Sequence, residues 1–465
     1  MTTNGNQTRN DGGRVAVIGA GVAGLAAAIE AAGAGAAVTV FDARRTPGGR
    51  ARTVERDGVL LNEGAHALYH DGAAMALLTE LGRTPTGGNP GSTGVGVDGP
   101  VVGALPAGPW SLIRTPLLRG DRLALAKLMV RLPRLDPADV ADRTIGALVT
   151  ELLGDGPGAR LGHALFRLTT YGHDPDHASA DVGIAQLQAA LDGGVRYLDG
   201  GWQSIVDALL VEAAQRGVAV RTGAKVSAIR PRTDGAVDVV TADGAGEGGR
   251  FEAVVVAAGG PGTTVRLLGD AAGGLAARAA EARPATVACL DVVLRTGWGP
   301  HPTFALGIDR PTYLSVHAPV ARLAPDGWSL AHVMRYHHPD ETPDGDRDRA
   351  ECEDLLNRLR PGWQGDAEQV GFRPRLVAAT DQAVAVRGGL AGRPGIGVPG
   401  HDGLFVAGDW VGPTGVLVDG SVASGQAAGQ ASARAAGARA RARAGAGAER
   451  SASPAARSGD GVRAR

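Results

Sequence analysis

The stretch RVAVIGAGVAGLAAAIEAAGAGAAVTVFDARRTPGGR, residues 14–50, decides how this chain folds. Arg14–Gly19 is a short apolar, valine-rich run, the composition of a buried strand. Val22–Ala32 is alanine-rich and reads as a helix. Ala37–Phe41 is a second apolar run. Strand, turn, helix, strand is the opening of a doubly wound parallel sheet. Gly19, Gly21 and Gly24 punctuate the turn, with Ala20 between the first two. The first glycine permits the tight turn, the second lets backbone approach a pyrophosphate, and the third lets the helix pack on the strand. Asp42 ends the next strand, where a carboxylate meets the ribose hydroxyls of an adenosine and disfavours a 2′-phosphate. The pattern predicts a dinucleotide site and argues against NADP. In a chain with 73 glycines a chance turn is the plain alternative, and the register of strand, helix and acid weighs against it.

A second cluster follows: Arg44, Arg45, then Gly48-Gly49-Arg50. A nicotinamide cofactor has no need of it. A flavin dinucleotide, longer and extended, needs further backbone donors and a cation. Residues 19–50 resemble the N-terminal FAD fingerprint of the flavin amine oxidase/phytoene desaturase superfamily. LNEGAHALY (61–69) resembles the segment that passes beside the flavin ring in that superfamily, which puts Gly64, Ala65 and His66 there. GGWQSIVDALLVEAAQRGVAVRTGAKVSAI (200–229) resembles its middle segment and implies a backbone contact of Val226 with adenine. GLFVAGDWVGPTGVLVDGSVASGQAAG (403–429) resembles its C-terminal motif. The resemblance implies FAD, bound non-covalently, on Gly19, Ala20, Gly21, Gly24, Asp42, Arg44, Gly49, Arg50, Gly408 and Asp409. The helix start at Val418 would face the flavin N1–C2=O edge, where its dipole favours the reduced anion.

The expected fold class is α/β: a Rossmann-like FAD-binding domain in three segments (14–75, 195–265 and 400–436) with an inserted α+β substrate domain (76–194 and 266–399). Residues 76–194 show helical patterns, whereas 266–399 mix strands such as ATVACLDVVL, TYLSVHA and SLAHVMRYH with a helix at Arg349–Leu359. Phe251–Ala257 reads as one strand, joined to Val237–Thr241 by a turn at Asp243–Gly249. A last helix is expected from about Gly420 to Ala435. Residues 1–13 and the Arg/Ala-rich 437–465 lack the apolar content for a core and are expected to be disordered.

The formal net charge of −1 offers no electrostatic case for nucleic acid as a partner. Cys289 and Cys352 match no metal-ligand spacing and make no disulfide framework, which fits a reducing cytoplasm. The polar start is not a secretory signal, and no apolar run is long enough to span a bilayer. WSLIRTPLLRGDRLALAKLMVRLPRL (110–135) interleaves Leu, Ile and Met with Arg114, Arg119, Arg122, Lys127, Arg131 and Arg134. A basic amphipathic helix of this kind can lie on the inner face of an anionic membrane or line the mouth of an apolar tunnel. An ordinary helix with a solvated basic face is the bland reading.

The substrate follows from what is missing. Flavin amine oxidases often carry a lysine near flavin N5, and neither Lys127 nor Lys225 is placed for that role. Aligning VLVDGSVASG (416–425) on the same proteins sets Leu417 where they have an aromatic wall. An aliphatic wall suits an apolar or polyene-like small molecule better than an amine. The implied activity is dehydrogenation, with hydride passing to flavin N5. A small amine as substrate, or a flavoprotein without catalysis, are the alternatives. Catalytic side chains are not identified beyond two candidates. His66 either serves as acid/base or shapes the pocket, and Tyr171 faces the flavin cavity. The cluster TTYGHDPDHASAD (169–181) reads as a turn capping a helix at Ser179 or Asp181, and no metal is expected. His337 and His338 point to opposite faces of a strand and so make a poor ligand pair.

Overall fold

The computed structural model describes residues 12–452 apart from 92–93, 107–108, 119–120 and 243–247. Five parallel strands form the first sheet, in the order Ala219–Thr222, Ala37–Asp42, Arg14–Ile18, Ala253–Val256, Leu404–Val406. The central pair is buried on both faces, which is why RVAVI and AVVV are unbroken apolar runs rather than alternating ones. Each such side chain contributes about 1.5–3 kcal/mol on burial. Helices Val22–Gly33, Gln203–Gln215 and Leu417–Ala452 cover one face. A three-stranded antiparallel sheet, Val226–Pro231, Val237–Thr241 and Gly249–Phe251, covers the other.

The second large sheet has seven strands, in the order Ala367–Ala379, Ala285–Leu294, Ser329–Tyr336, Thr312–Ala318, Phe304–Gly307, Val95–Asp98, Val101–Ala104. Helix Gly345–Leu359 packs on one face. Helices Ile145–Leu153, Pro157–Thr170 and Ala180–Asp192 pack on the other.

Several expectations are corrected. The run Phe251–Ala257 splits: Phe251 pairs with Val237 in the antiparallel sheet, and Ala253–Val256 joins the parallel one. Most of the turn at Asp243–Gly249 lies outside the described residues. The segment 76–194 is not purely helical, because Val95–Asp98 and Val101–Ala104 form a hairpin at the edge of the seven-stranded sheet. Its Asp98-Gly99 turn was the available signal. Residues 110–135 form no single helix but four short pieces, Pro109–Arg114, Pro116–Leu118, Arg122–Arg131 and Leu132–Arg134. Pro116 and Pro133 remove the backbone donors a continuous helix would need. Arg119 lies outside the described residues.

The C-terminal helix starts at Leu417 and runs to Ala452, through the first half of the tail expected to be disordered. Composition missed two tertiary anchors. Arg439 donates to the backbone carbonyl of Glu252, and Arg443 Nη1 donates to the Glu252 carboxylate at 2.6 Å. Glu252 is buried and so favours a cation beside it. Residues 1–11 and 453–465, also expected to be disordered, lie outside the described residues. Among the described residues no helix is long and apolar enough to cross a membrane.

Candidate functional site

All five parallel strands end on one side, so the loops after Ile18, Asp42, Val256 and Val406 share one edge. The first glycine turn is packed to its limit. A Cβ on Gly24 would lie 1.9 Å from the Gly19 carbonyl oxygen, so only glycine lets the helix close on the strand. Gly21 differs: a Cβ there would meet only Gly48 O at 3.9 Å and Gly49 Cα at 4.0 Å, ordinary contacts with the second glycine cluster. Asp42 receives the backbone N–H groups of Ala20 and Arg44, each at 2.7 Å, and so braces the turn from the next strand.

The two glycine clusters dock on one another. Gly48 N–H donates to the Ala20 carbonyl at 2.9 Å, and Gly21 and Gly48 form a parallel bridge. Beyond it Arg50 reaches the third segment. Its two terminal nitrogens fork onto Asp409 at 2.9 and 2.8 Å, and Nη1 also donates to the Ala378 carbonyl. Asp409 is 2% exposed and accepts Thr380 N–H at 2.9 Å and the Thr380 hydroxyl at 2.7 Å. Burial pushes this carboxyl up, but Arg50 and Thr380 outweigh it and hold it below the usual range. Arg50 is therefore a tie between segments, a role that sequence spacing does not show. Gly408 is bound to the C-terminal helix by Ser424, whose hydroxyl accepts from Gly408 N–H at 3.0 Å. Val226 lies farther along, packed with Phe41 at the start of the antiparallel sheet.

Gly64, Ala65 and His66 form the strap between this edge and the seven-stranded sheet. His66 donates from Nδ1 to the Gly64 carbonyl at 3.0 Å, and its ring lies 4.7 Å from that of Trp202. Burial pushes its imidazole down to about 4, against the pull of the Gly64 carbonyl. It is neutral at ordinary pH, with Nδ1 committed to shaping the strap.

Tyr171 caps the helix Pro157–Thr170 with φ +53°, a left-handed conformation that costs a non-glycine residue about 1 kcal/mol or more. The other four tyrosines lie within electrostatic reach of it. Burial first, then the phenols of Tyr336, Tyr197 and Tyr69, pushes Tyr171 well above its usual value. Tyr313 is raised in the same way, by burial and then by Tyr197 and Tyr171. Leu417 also has a positive φ, +55°, and with Thr170, Asp381, Arg393, Asp409 and Val416 it bounds a cavity of mixed polar and aliphatic lining. Lys127 and Lys225 are exposed and join neither group.

The cluster at 169–181 is structural. Ser179 is the helix N-cap residue. Asp174 is buried and taken by Arg283 Nη2 at 3.2 Å and His177 Nδ1 at 2.9 Å. His337 bonds Asp348 at 2.8 Å, while His338 turns to Asp174 and Asp340. Sequence reasoning passed over Asp291, His317, His332 and Arg373, which lie under the strap. Its available signal was a lone acid in ATVACLDVVL and a lone histidine in SLAHVMRY, each inside an otherwise apolar strand.

The residues at the sheet edge fit a flavin dinucleotide. Gly21 leaves a cradle that a Cβ would fill, and the helix after it begins with no side-chain cap on its N–H groups. Trp410 Nε1, beside Gly408, and Gln203 Oε1, beside Gly48, are buried without a protein partner.

Comparison with known proteins agrees. The chain is 27% identical over 278 residues to hydroxyneurosporene desaturase from Cereibacter sphaeroides, covering 50% of this chain and 53% of that protein. It is 30% identical over 258 residues to hydroxysqualene dehydroxylase from Rhodopseudomonas palustris, covering 49% of this chain and 58% of that one. The chain thus spans little more than half the length of these relatives. An oxidoreductase structure from Methanosarcina mazei shares the fold, with a TM-score of 0.70 at 19% identity over 89% of this chain and 99% of its own. The sequence model of the flavin containing amine oxidoreductases matches residues 22–431, and the chain belongs to that family.

Proposed function

We propose that this chain is an FAD-dependent oxidoreductase that removes two hydrogens from an apolar, polyene-like small molecule, with FAD held non-covalently. The observation that carries this reading is the aliphatic side chain of Leu417 in the cavity wall. Val416 and Leu417 stand in that wall beside Asp381, Arg393 and Asp409, and both lysines lie elsewhere. An aliphatic wall holds a conjugated hydrocarbon by contact area and excludes water. Bound FAD supplies a hydride acceptor at N5. The protein's part is to hold one C–H bond at near-attack distance. The Arg50–Asp409 fork keeps the first and third cofactor segments in register, and His66 sets the strap through Gly64. Two relatives named for hydroxylated substrates, hydroxyneurosporene and hydroxysqualene, support an apolar substrate carrying one polar group.

A small amine is the second reading, favoured by the tyrosines around Tyr171, whose faces can hold a cation. The test is anaerobic bleaching of the flavin absorbance in the full chain. Bleaching by long polyenes or their alcohols and not by primary or secondary amines is expected. The reverse pattern would move the assignment to amine oxidation, and no flavin band after saturation with FAD would remove the cofactor assignment.

A peripheral contact with the inner, anionic leaflet of a membrane belongs to the same proposal. Helix Arg122–Arg131 exposes Leu123 (69%) and Val130 (63%), and Met129 beside them. Arg122, Lys127, Arg131 and Arg134 are exposed around these side chains. Apolar contacts ringed by cations match an anionic lipid surface.

A further inference from the structure

The face of the seven-stranded sheet turned toward the tyrosine cluster is apolar row by row. Val287 stands opposite Tyr336, Cys289 opposite Met334, and Val293 opposite Leu330. One row breaks the pattern. Asp291 stands opposite His332, and His332 opposite Ser315. All three are at most 2% exposed. His332 Nδ1 donates to Asp291 Oδ1 at 2.7 Å, and Arg373 from the edge strand donates to Oδ2. His332 Nε2 is buried and has no protein partner. Its ring meets His317 edge-on at 4.6 Å, and His317 stacks on Tyr197 at 3.7 Å. From the strap above, His66 lies within electrostatic reach of His332, and Glu63 within reach of Arg373.

A buried charged row has to be accounted for, because apolar residues of the same volume would serve stability as well or better. A cation site is one account, since ligand atoms of Cys289, Asp291 and His332 lie within 4.8 Å of one another. It fails on charge. Arg373 already occupies the carboxylate, and burial followed by Asp291 pushes the Cys289 thiol well above its usual value, so it is no thiolate. What remains is a carboxylate orienting an imidazole whose far nitrogen is free, the arrangement that makes histidine a directed base.

We propose that His332 is the proton acceptor of the reaction, on the face of the seven-stranded sheet beneath the 64–66 strap, with Asp291 and Arg373 as its positioning residues. This rests on the dehydrogenase reading above. Hydride leaves one substrate carbon for the flavin with both electrons of its C–H bond. The proton on the adjacent atom passes to His332 Nε2, and the pair from that bond becomes the new double bond. Asp291 then neutralises the imidazolium. Arg373 pairs with the other oxygen of Asp291, and the contact with Asp291 places a proton of His332 on Nδ1. Burial holds His317 well below its usual value and His66 at about 4, so neither adds a competing charge.

Two measurements on the FAD-loaded full chain test this. In nitrogen-15 histidine spectra at neutral pH, the signal lost in His332→Gln should show a protonated Nδ1 and a bare Nε2. Both nitrogens protonated would overturn the proposal whatever the substrate. With saturating geranylgeraniol as the anaerobic probe, His332→Gln should slow flavin bleaching by about 10²–10⁴-fold, with flavin content and half-saturation unchanged. Asp291→Asn should slow it by a smaller factor, and it carries the comparison if His332→Gln takes up no flavin. A rate within about threefold of the parent in the flavin-loaded variant overturns the proposal. Failure of geranylgeraniol to bleach the parent counts against the substrate reading alone, and benzylamine then serves as probe for the same comparison.

Discussion

Replacing Arg50 by alanine removes the fork on Asp409 and leaves a carboxylate that is 2% exposed. Removing one partner of a buried ion pair costs about 3–5 kcal/mol. Two features lower that figure. The Arg50 side chain is 41% exposed, and both Thr380 donors stay on Asp409. About 2–3 kcal/mol is expected. Asp409→Asn removes the stranded charge, so Arg50→Ala in that background should cost about 1 kcal/mol, a coupling of about 1–2 kcal/mol. The sign with pH follows from the depressed Asp409 carboxyl. Its contribution is present above the unfolded carboxyl value of about 3.9 and is lost as pH falls through the lower folded value. The gap between parent and Arg50→Ala should therefore be widest near neutrality and shrink in acid. Urea unfolding followed by tryptophan fluorescence, at neutral and acid pH, measures both. A cost under about 0.5 kcal/mol, no coupling with Asp409→Asn, or a gap that widens in acid would refute the reasoning.

The remaining expectations concern other parts of the chain. Gly24→Ala drives a Cβ against the Gly19 carbonyl, so stability should fall by about 2–3 kcal/mol and flavin content with it; a flavin-loaded, stable variant by absorbance and thermal melt would contradict the packing. Deleting residues 437–465 takes Arg439 and Arg443 from Glu252 and should cost about 1–2 kcal/mol in urea unfolding, whereas a free tail would cost nothing. Leu123→Asp with Val130→Asp should weaken sedimentation with phosphatidylglycerol vesicles by about tenfold or more, and unchanged sedimentation would remove the membrane contact. Leu417→Phe should leave flavin content unchanged while slowing bleaching by long polyenes, because it narrows the cavity wall; equal rates would take Leu417 out of the substrate path.

The parallel sheet was legible in residues 14–50 because its determinants are local. Strand and helix periods, a glycine at each close approach and an acid at the strand end all lie within a few turns of chain. The strands ATVACLDVVL and SLAHVMRY were legible for the same reason. The edge strand Ala367–Ala379 was not, because Gly371 and Pro374 interrupt its pattern and only an edge tolerates them. The ordered C-terminal extension was hidden too, since its anchor, buried Glu252, is distant in sequence. The fork from Arg50 to Asp409 spans 359 positions. The row Asp291–His332 exists only because two strands pair in one register. Sequence by itself determined the sheet, the glycine cradle and the family resemblance, all of which depend on short-range spacing. Tertiary structure decided which charges are buried together and which histidine keeps a free nitrogen, because burial and pairing are properties of contacts between distant segments.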